Sequence, residues 1–145
     1  MKLSTKTRYG TRILIELALR ADQGAIQVSK ISSKQKIPAK YLEQILLTLK
    51  KAGIVNSVRG PKGGHLLVKE PSQISLGQIV RLFEGQTDLV ECVSFPEKCE
   101  LAADCLVRNA WHDATSVLYE KLDGISIGDL IHNNGKNNPA ACPSL

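Results

Sequence analysis

Hydrophobic positions recur along the first half of the chain with the spacing of short amphipathic helices. Tyr9, Ile13 and Leu17, flanked by Leu14 and Ala18, share one face of a helix that Ser4 is placed to cap and that runs to about Ala21. Gly24 ends it. A short second helix is expected from a Ser29 cap through Ile31, broken at "KIP", with Pro38 where the next helix begins. That third segment, "PAKYLEQILLTLKKAG", has the sharpest pattern in the chain. Leu42, Ile45, Leu46 and Leu49 fall at i, i+3, i+4 and i+7 and predict a core face, while Lys40, Glu43, Gln44 and Leu47 follow the same rule on the other face. Lys50 and Lys51 suit the negative end of the helix dipole, and Gly53 supplies a stop.

The period then changes. Two short β-type runs, 54–59 and 65–69, flank the turn "GPKGG" and predict a hairpin. After Pro71, Ser75 opens a helix through Leu76, Ile79, Val80 and Phe83 that Gly85 ends. Residues 86–100 read as a loop. A long helix is expected from about 102 to 122, with Leu106, Ala110, Ala114, Val117 and Leu118 as its apolar stripe, and "SIGDLI" as a final docking turn. From Asn133 onward, "NNGKNNPAACPSL" has the composition of a disordered tail.

The expected fold is therefore mainly α with one small β-hairpin. Three helices followed by a glycine-turned hairpin is the order of a winged helix-turn-helix, here over residues 1–85. Residues 86–100 form a cysteine-bearing loop, 101–131 a long C-terminal dimerisation helix with its docking turn, and 132–145 the tail. The dimer expectation rests on the stripe: an isolated amphipathic helix behind a small head needs a cover, either its own domain or a second copy.

Charge sharpens this picture. Residues 1–70 hold 14 basic and 4 acidic side chains, whereas residues 71–145 hold 5 and 10. So uneven a split points to a front that meets a polyanion and a back with another task. No apolar run approaches the ~20 residues that span a bilayer, and "MKLSTKTRYG" lacks the apolar stretch of a signal peptide, so a cytoplasmic protein with no membrane partner is expected. An enzyme is not indicated. There is no nucleophile–base pair, and "GPKGG" is too short for a phosphate-binding loop and lacks its Lys-Ser/Thr ending.

Double-stranded DNA is the polyanion that the motif order implies, because the major groove admits one helix and the second helix of such a motif enters it N-terminus first. That helix is residues 38–52. Near its entering end, Gln44 can pair with adenine, Glu43 can accept from cytosine N4, and Lys40 adds charge. In the wing, Gly63 and Gly64 let the backbone approach a phosphate or a minor groove, and Arg59 and Lys62 bring charge. Lys2, Lys6, Arg8, Arg12, Lys30, Lys34 and Lys36 are candidates for phosphate contacts, which add affinity and salt dependence rather than specificity.

The last chemistry-bearing feature is "CVSFPEKCELAADC". Cys92, Cys99 and Cys105 lie within fourteen residues, a spacing that matches neither paired zinc-ribbon cysteines nor ferredoxin runs. Spacing alone leaves a metal or cluster site, a redox thiol pair and inert thiols all open.

"YLEQ", the run "LKKAGIVNSVRGPKGGHLLVKEPSQISLGQIV", the N-terminal "KLSTKTRYG" and the cysteine trio together resemble the IscR-type winged-helix transcriptional regulators, whose relatives include NsrR, RirA and CymR. The resemblance covers roughly residues 1–130 and is most specific at "SVRGPKGG", where Lys62 fills a variable position. It implies a homodimer on a palindromic operator, a repressor's role, and base-contact roles for Lys40, Glu43, Gln44 and Arg59. Pro38 stands where many relatives have Ser. The resemblance also implies an iron–sulfur cluster, two-iron or four-iron, on Cys92, Cys99 and Cys105, sensing iron, redox state or nitric oxide. The family's usual fourth ligands are replaced here by Arg108 and Arg8, and Arg is a very poor ligand. Cys142 in the tail, His112, the acids Glu91, Glu97, Glu100 and Asp104, or an external thiol or water are the remaining candidates. The alternative is a cluster-free regulator of cysteine metabolism, CymR-like, switched by thiol oxidation or a partner protein.

Overall fold

The computed structural model describes residues 2–85 and 88–133. Helix α1 (Thr5–Leu19) starts at Ser4, whose backbone is extended and whose hydroxyl accepts from the Thr7 amide. This satisfies one of the N–H groups that every helix start leaves open. Helix α2 (Val28–Gln35) begins one residue before the expected Ser29 cap. Gln27 holds the cap position with no side-chain bond, and the Lys30 and Ile31 amides reach its carbonyl. The cause is tertiary: Ile26 is drawn into an antiparallel bridge with His65, so the extended chain ends at Gln27.

The turn into α3 (Ala39–Lys51) passes through Lys36 in the left-handed region (φ 53°) and buries Ile37. Ser32 closes this turn, its hydroxyl donating to the Ile37 carbonyl at 2.7 Å and its own carbonyl accepting from the Ile37 amide at 3.2 Å. Strands β1 (Val55–Val58) and β2 (Gly64–Leu67) form the antiparallel hairpin, with Val55 opposite Leu67 and Val58 opposite Gly64. Helix α4 (Leu76–Glu84) is capped by the Ser75 hydroxyl as expected. Among the described residues the chain is thus mainly helical with one two-stranded hairpin.

The second half differs from expectation in two places. Residues 86–100 are not simply a loop: a helical turn, α5 (Glu91–Ser94), holds Cys92, and a 3-10 turn (Pro96–Lys98) precedes Cys99. Helix α6 (Arg108–Asp123) starts six residues later than the expected 102. Leu106 is 99% exposed and belongs to no buried stripe. The Arg108 side chain turns back onto α5, which fixes the reversal at that point. Helix α7 (Ile127–Asn133) is the docking element, its start closed by reciprocal bonds between Ser126 and Asp129.

The core gathers Ile13, Leu14 and Leu17 of α1, Ile31 of α2, Leu42, Ile45, Leu46 and Leu49 of α3, Ile79 of α4 and Ile127 of α7, with Ile54 and Ile74 from the connecting segments. Each such side chain, fully buried, stabilises the fold by about 2 kcal/mol. Polar ties fix the helices around it. The nearly buried Glu16 carboxylate pairs with Arg20 and accepts from the Gln35 side-chain amide, joining α1 to α2. Glu84 at the end of α4 accepts from the Ser4 amide at 2.8 Å and from the Thr7 hydroxyl, joining α4 to the start of α1. Arg81 of α4 grips both Asp123 oxygens at 2.7 Å and lies over the Tyr119 ring of α6.

Candidate functional site

The packing of α3 turns the predicted polar face outward. Leu42, Ile45, Leu46 and Leu49 are buried, while Lys40, Glu43, Gln44 and Leu47 are exposed. Among the described residues, the side chains of Lys40, Glu43 and Gln44 make no hydrogen bond or ion pair. At the hairpin tip Arg59 and Lys62 are both exposed and likewise unengaged. Of the expected phosphate-contact residues, Lys2, Lys6, Arg8, Lys30, Lys34 and Lys36 are exposed. Arg12 is exposed too, but its guanidinium is engaged: it donates to the Gln35 side chain at 3.0 Å and to the Gln35 carbonyl, and lies over the Tyr9 ring.

The wing glycines have a steric task. A Cβ on Gly64 (φ 150°) would stand 2.3 Å from the Ile26 carbonyl oxygen, and one on Gly63 would stand 2.3 Å from the Val58 carbonyl oxygen. Both lie well inside van der Waals contact. They let the hairpin close on itself and let the Ile26 segment pair with β2. The Ile26 and His65 backbones exchange two bonds of 2.8 Å.

His65 is a residue whose importance the sequence reading missed. It lines the groove between hairpin and α3 with Glu43, Leu46, Leu47, Lys50 and Ser57. Burial pushes its pKa below the usual histidine value, Lys50 pushes it further down, and Glu43 acts in the opposite sense. Nothing local marks it out, since the residues around it come from α3, from β1 and from the Ile26 segment.

The three thiols belong to the segment between α4 and α6. Cys92 sits in α5, Cys99 closes the 3-10 turn, and Cys105 lies just before α6. All three are free and half-buried. Arg108 reaches back to α5, donating to the Cys92 carbonyl at 2.9 Å and the Val93 carbonyl at 3.4 Å. The buried Thr115 of α6 accepts from the Leu89 amide, a second tie between this segment and the helix. Glu91 pairs with Lys98, while Glu97, Glu100, Asp104 and His112 are exposed. Cys142 and the expected tail lie outside the described residues.

The donor set suits an iron–sulfur cluster in kind, because three free thiols on one segment are the soft ligands such a group takes. Their arrangement is more open. Among the described residues no three His, Cys, Asp or Glu side chains converge to hold a metal ion. Arg108, at one expected fourth position, is committed to backbone carbonyls.

Comparison with known proteins extends this picture. The family profile described as Rrf2, iron-dependent transcriptional regulator, matches residues 3–133. The chain is 38% identical over 134 residues to the HTH-type transcriptional regulator IscR of Aliivibrio salmonicida, covering 92% of this chain and 79% of that protein. It is 35% identical to protein rrf2 of Nitratidesulfovibrio vulgaris, covering 92% and 89%. Among solved structures it matches CymR, the global cysteine regulator of B. subtilis, at a TM-score of 0.77 and 36% identity, covering 91% of this chain and 97% of that one. It matches T. potens IscR at 0.74 and 31%, covering 92% and 88%.

Proposed function

The chain belongs to the Rrf2 family of transcriptional regulators, and from that premise we propose that it is a dimeric, cytoplasmic repressor that reads a palindromic DNA operator through α3 and the wing and senses through Cys92, Cys99 and Cys105. The observation that carries the DNA reading is the unengaged outward face of α3, with Lys40, Glu43 and Gln44 exposed, together with the exposed Arg59 and Lys62 of the hairpin tip. Side chains that spend nothing on the fold are available to base edges and phosphates. A two-fold dimer meets successive major grooves when its recognition helices stand about 34 Å apart. The exposed Ala110, Ala114 and Val117 of α6 leave an apolar stripe for a second copy to cover. Selection of duplexes from a random pool, followed by sedimentation of the complex, tests both points. No enriched palindrome, or a monomer at micromolar concentration, refutes this reading.

In this proposal Cys92, Cys99 and Cys105 supply thiolates to an iron–sulfur cluster. Such a group, when bound, offers a centre whose oxidation, nitrosylation or iron loss changes the charge of the segment. The chain's own residues carry the consequence. Arg108 and Thr115 tie the cysteine segment to α6, and Arg81–Asp123 ties α6 to α4, so a change at the thiols bears on the spacing of two DNA-reading heads. Anaerobic reconstitution with iron and sulfide, followed by Mössbauer spectroscopy, is the test. Protein that stays colourless removes the cluster.

A second reading keeps the DNA binding and makes the switch a thiol oxidation or a partner protein. Arg108 at an expected ligand position and the unconverged thiols favour it. Under this reading, Cys99→Ser alters DNA binding only after treatment with an oxidant.

A further inference from the structure

His65 sits in the seam between the wing and α3, and its backbone is held from both sides. It exchanges two hydrogen bonds with Ile26 and stands opposite Ser57 in the hairpin ladder. Its position is therefore fixed before any DNA arrives. The side chain lines the groove formed with Glu43, Leu46, Leu47, Lys50 and Ser57. The ring nitrogen Nδ1 is buried and has no hydrogen-bond partner among the described residues. The charged groups facing the ring are Glu43 and Lys50, both from α3. Neither β1 nor the 24–27 segment carries an ionisable side chain. Lys50 is tethered, its ammonium donating to the Ser57 hydroxyl, whereas Glu43 makes no hydrogen bond or ion pair among the described residues.

We propose that His65 is a positioning residue for base recognition: neutral, it leaves the Glu43 carboxylate free on the outward face of α3, and protonated, it draws that carboxylate into the seam, so that sequence discrimination falls as the medium turns acid. The inference rests on α3 being the recognition helix. Its physical basis is the geometry of the groove. A buried imidazole that gains a proton needs an anionic partner, and Glu43 is the anion facing it. Lys50 opposes the proton, and burial opposes it more strongly, so the ring is neutral near pH 7 and the transition falls on the acid side of an ordinary histidine.

The experiment uses the full chain, a duplex selected by it from a random pool at pH 8, and a scrambled duplex of equal length. The ratio of the two dissociation constants is followed from pH 8 to pH 5 at fixed ionic strength. The expected wild-type ratio falls about fivefold or more, the lower end of what one good base contact contributes. In His65→Gln and in Glu43→Gln the ratio no longer depends on pH. In parallel, the NMR titration midpoint of His65 in the DNA-free protein moves down in Glu43→Gln and up in Lys50→Gln. A pH profile that persists in His65→Gln, or a midpoint that Glu43→Gln leaves in place, overturns the proposal. If no duplex is selected at pH 8, the DNA reading itself fails and this inference falls with it.

Discussion

The Arg108 guanidinium holds the Cys92 backbone carbonyl at 2.9 Å, so the first residue of α6 latches the helical turn that carries the first thiol. A hydrogen bond from a charged donor stabilises by about 1.5–3 kcal/mol, and less where water reaches the pair. In Arg108→Ala the α5 turn loses this hold. Amide exchange at residues 91–95 is expected to rise about fivefold, the equivalent of about 1 kcal/mol, while exchange in α3 stays as it was. Equal rates in both proteins would show that the latch stabilises nothing.

Arg108→His places an imidazole where the resemblance puts a fourth ligand. After anaerobic reconstitution, the variant is expected to lose its sulfur-to-iron absorption in air more slowly than the wild type. Identical decay would mean that this position does not govern cluster retention.

Gln44 and Lys62 have different tasks in the proposed complex. Gln44→Ala is expected to cost about 1–3 kcal/mol on a selected duplex and to relax the preference at one base pair. Lys62→Ala weakens binding to all sequences and lowers the slope of log K against log salt by about one. Fluorescence anisotropy across a salt series separates the two. A base preference lost in Lys62→Ala alone would reverse these assignments.

Gly64→Ala forces a Cβ to within 2.3 Å of the Ile26 carbonyl oxygen and strains a backbone at φ 150°. The expected loss is about 2 kcal/mol or more in urea unfolding, with exchange fastest at the Ile26 and His65 amides. Gly60→Ala also strains a positive φ, but its Cβ meets open space, and it should cost less.

Glu84 gives the fold an acid-sensitive joint. Hydrogen bonds from the Thr7 hydroxyl and from Ser4 hold its carboxyl below the usual glutamate range. A depressed acid stabilises the folded chain fully above the range where a free glutamate titrates, and that contribution disappears as pH falls through the folded-state value. Thermal unfolding should therefore find Glu84→Gln less stable than wild type at pH 7, with the gap closing toward pH 3. A gap that stays constant with pH would remove Glu84 from this role.

The outward face of α3 was legible because its buried and exposed residues follow one helical period, and Ser4 and Ser75 were legible because a cap is a local device. The hairpin announced itself through its glycines. What was hidden depends on distant partners. Gln27 rather than Ser29 starts α2 because His65, far along the chain, pairs with Ile26. The start of α6 was misplaced because Leu106 has helical spacing yet faces water, which periodicity cannot register. The cysteine trio was visible as a pattern, but Arg108's attachment to Cys92 was not, since an arginine's target is set by the folded chain reversal.

Residues 125–127 also run beside 74–76: the Leu76 amide donates to Ile125, the Ile127 amide donates to Ile74, and Ile127 fills the core under α1. The two ends of the described chain are thus woven into one body. A shortened DNA-reading fragment cut after α4 would lack a core side chain and leave the Ile74 carbonyl and Leu76 amide unpaired. Chimeras that graft the cysteine segment of one relative onto the head of another should therefore exchange residues 88–124 as an insert and keep the native 125–133, treating that segment as a loop sewn into the helical body rather than a cartridge attached behind it.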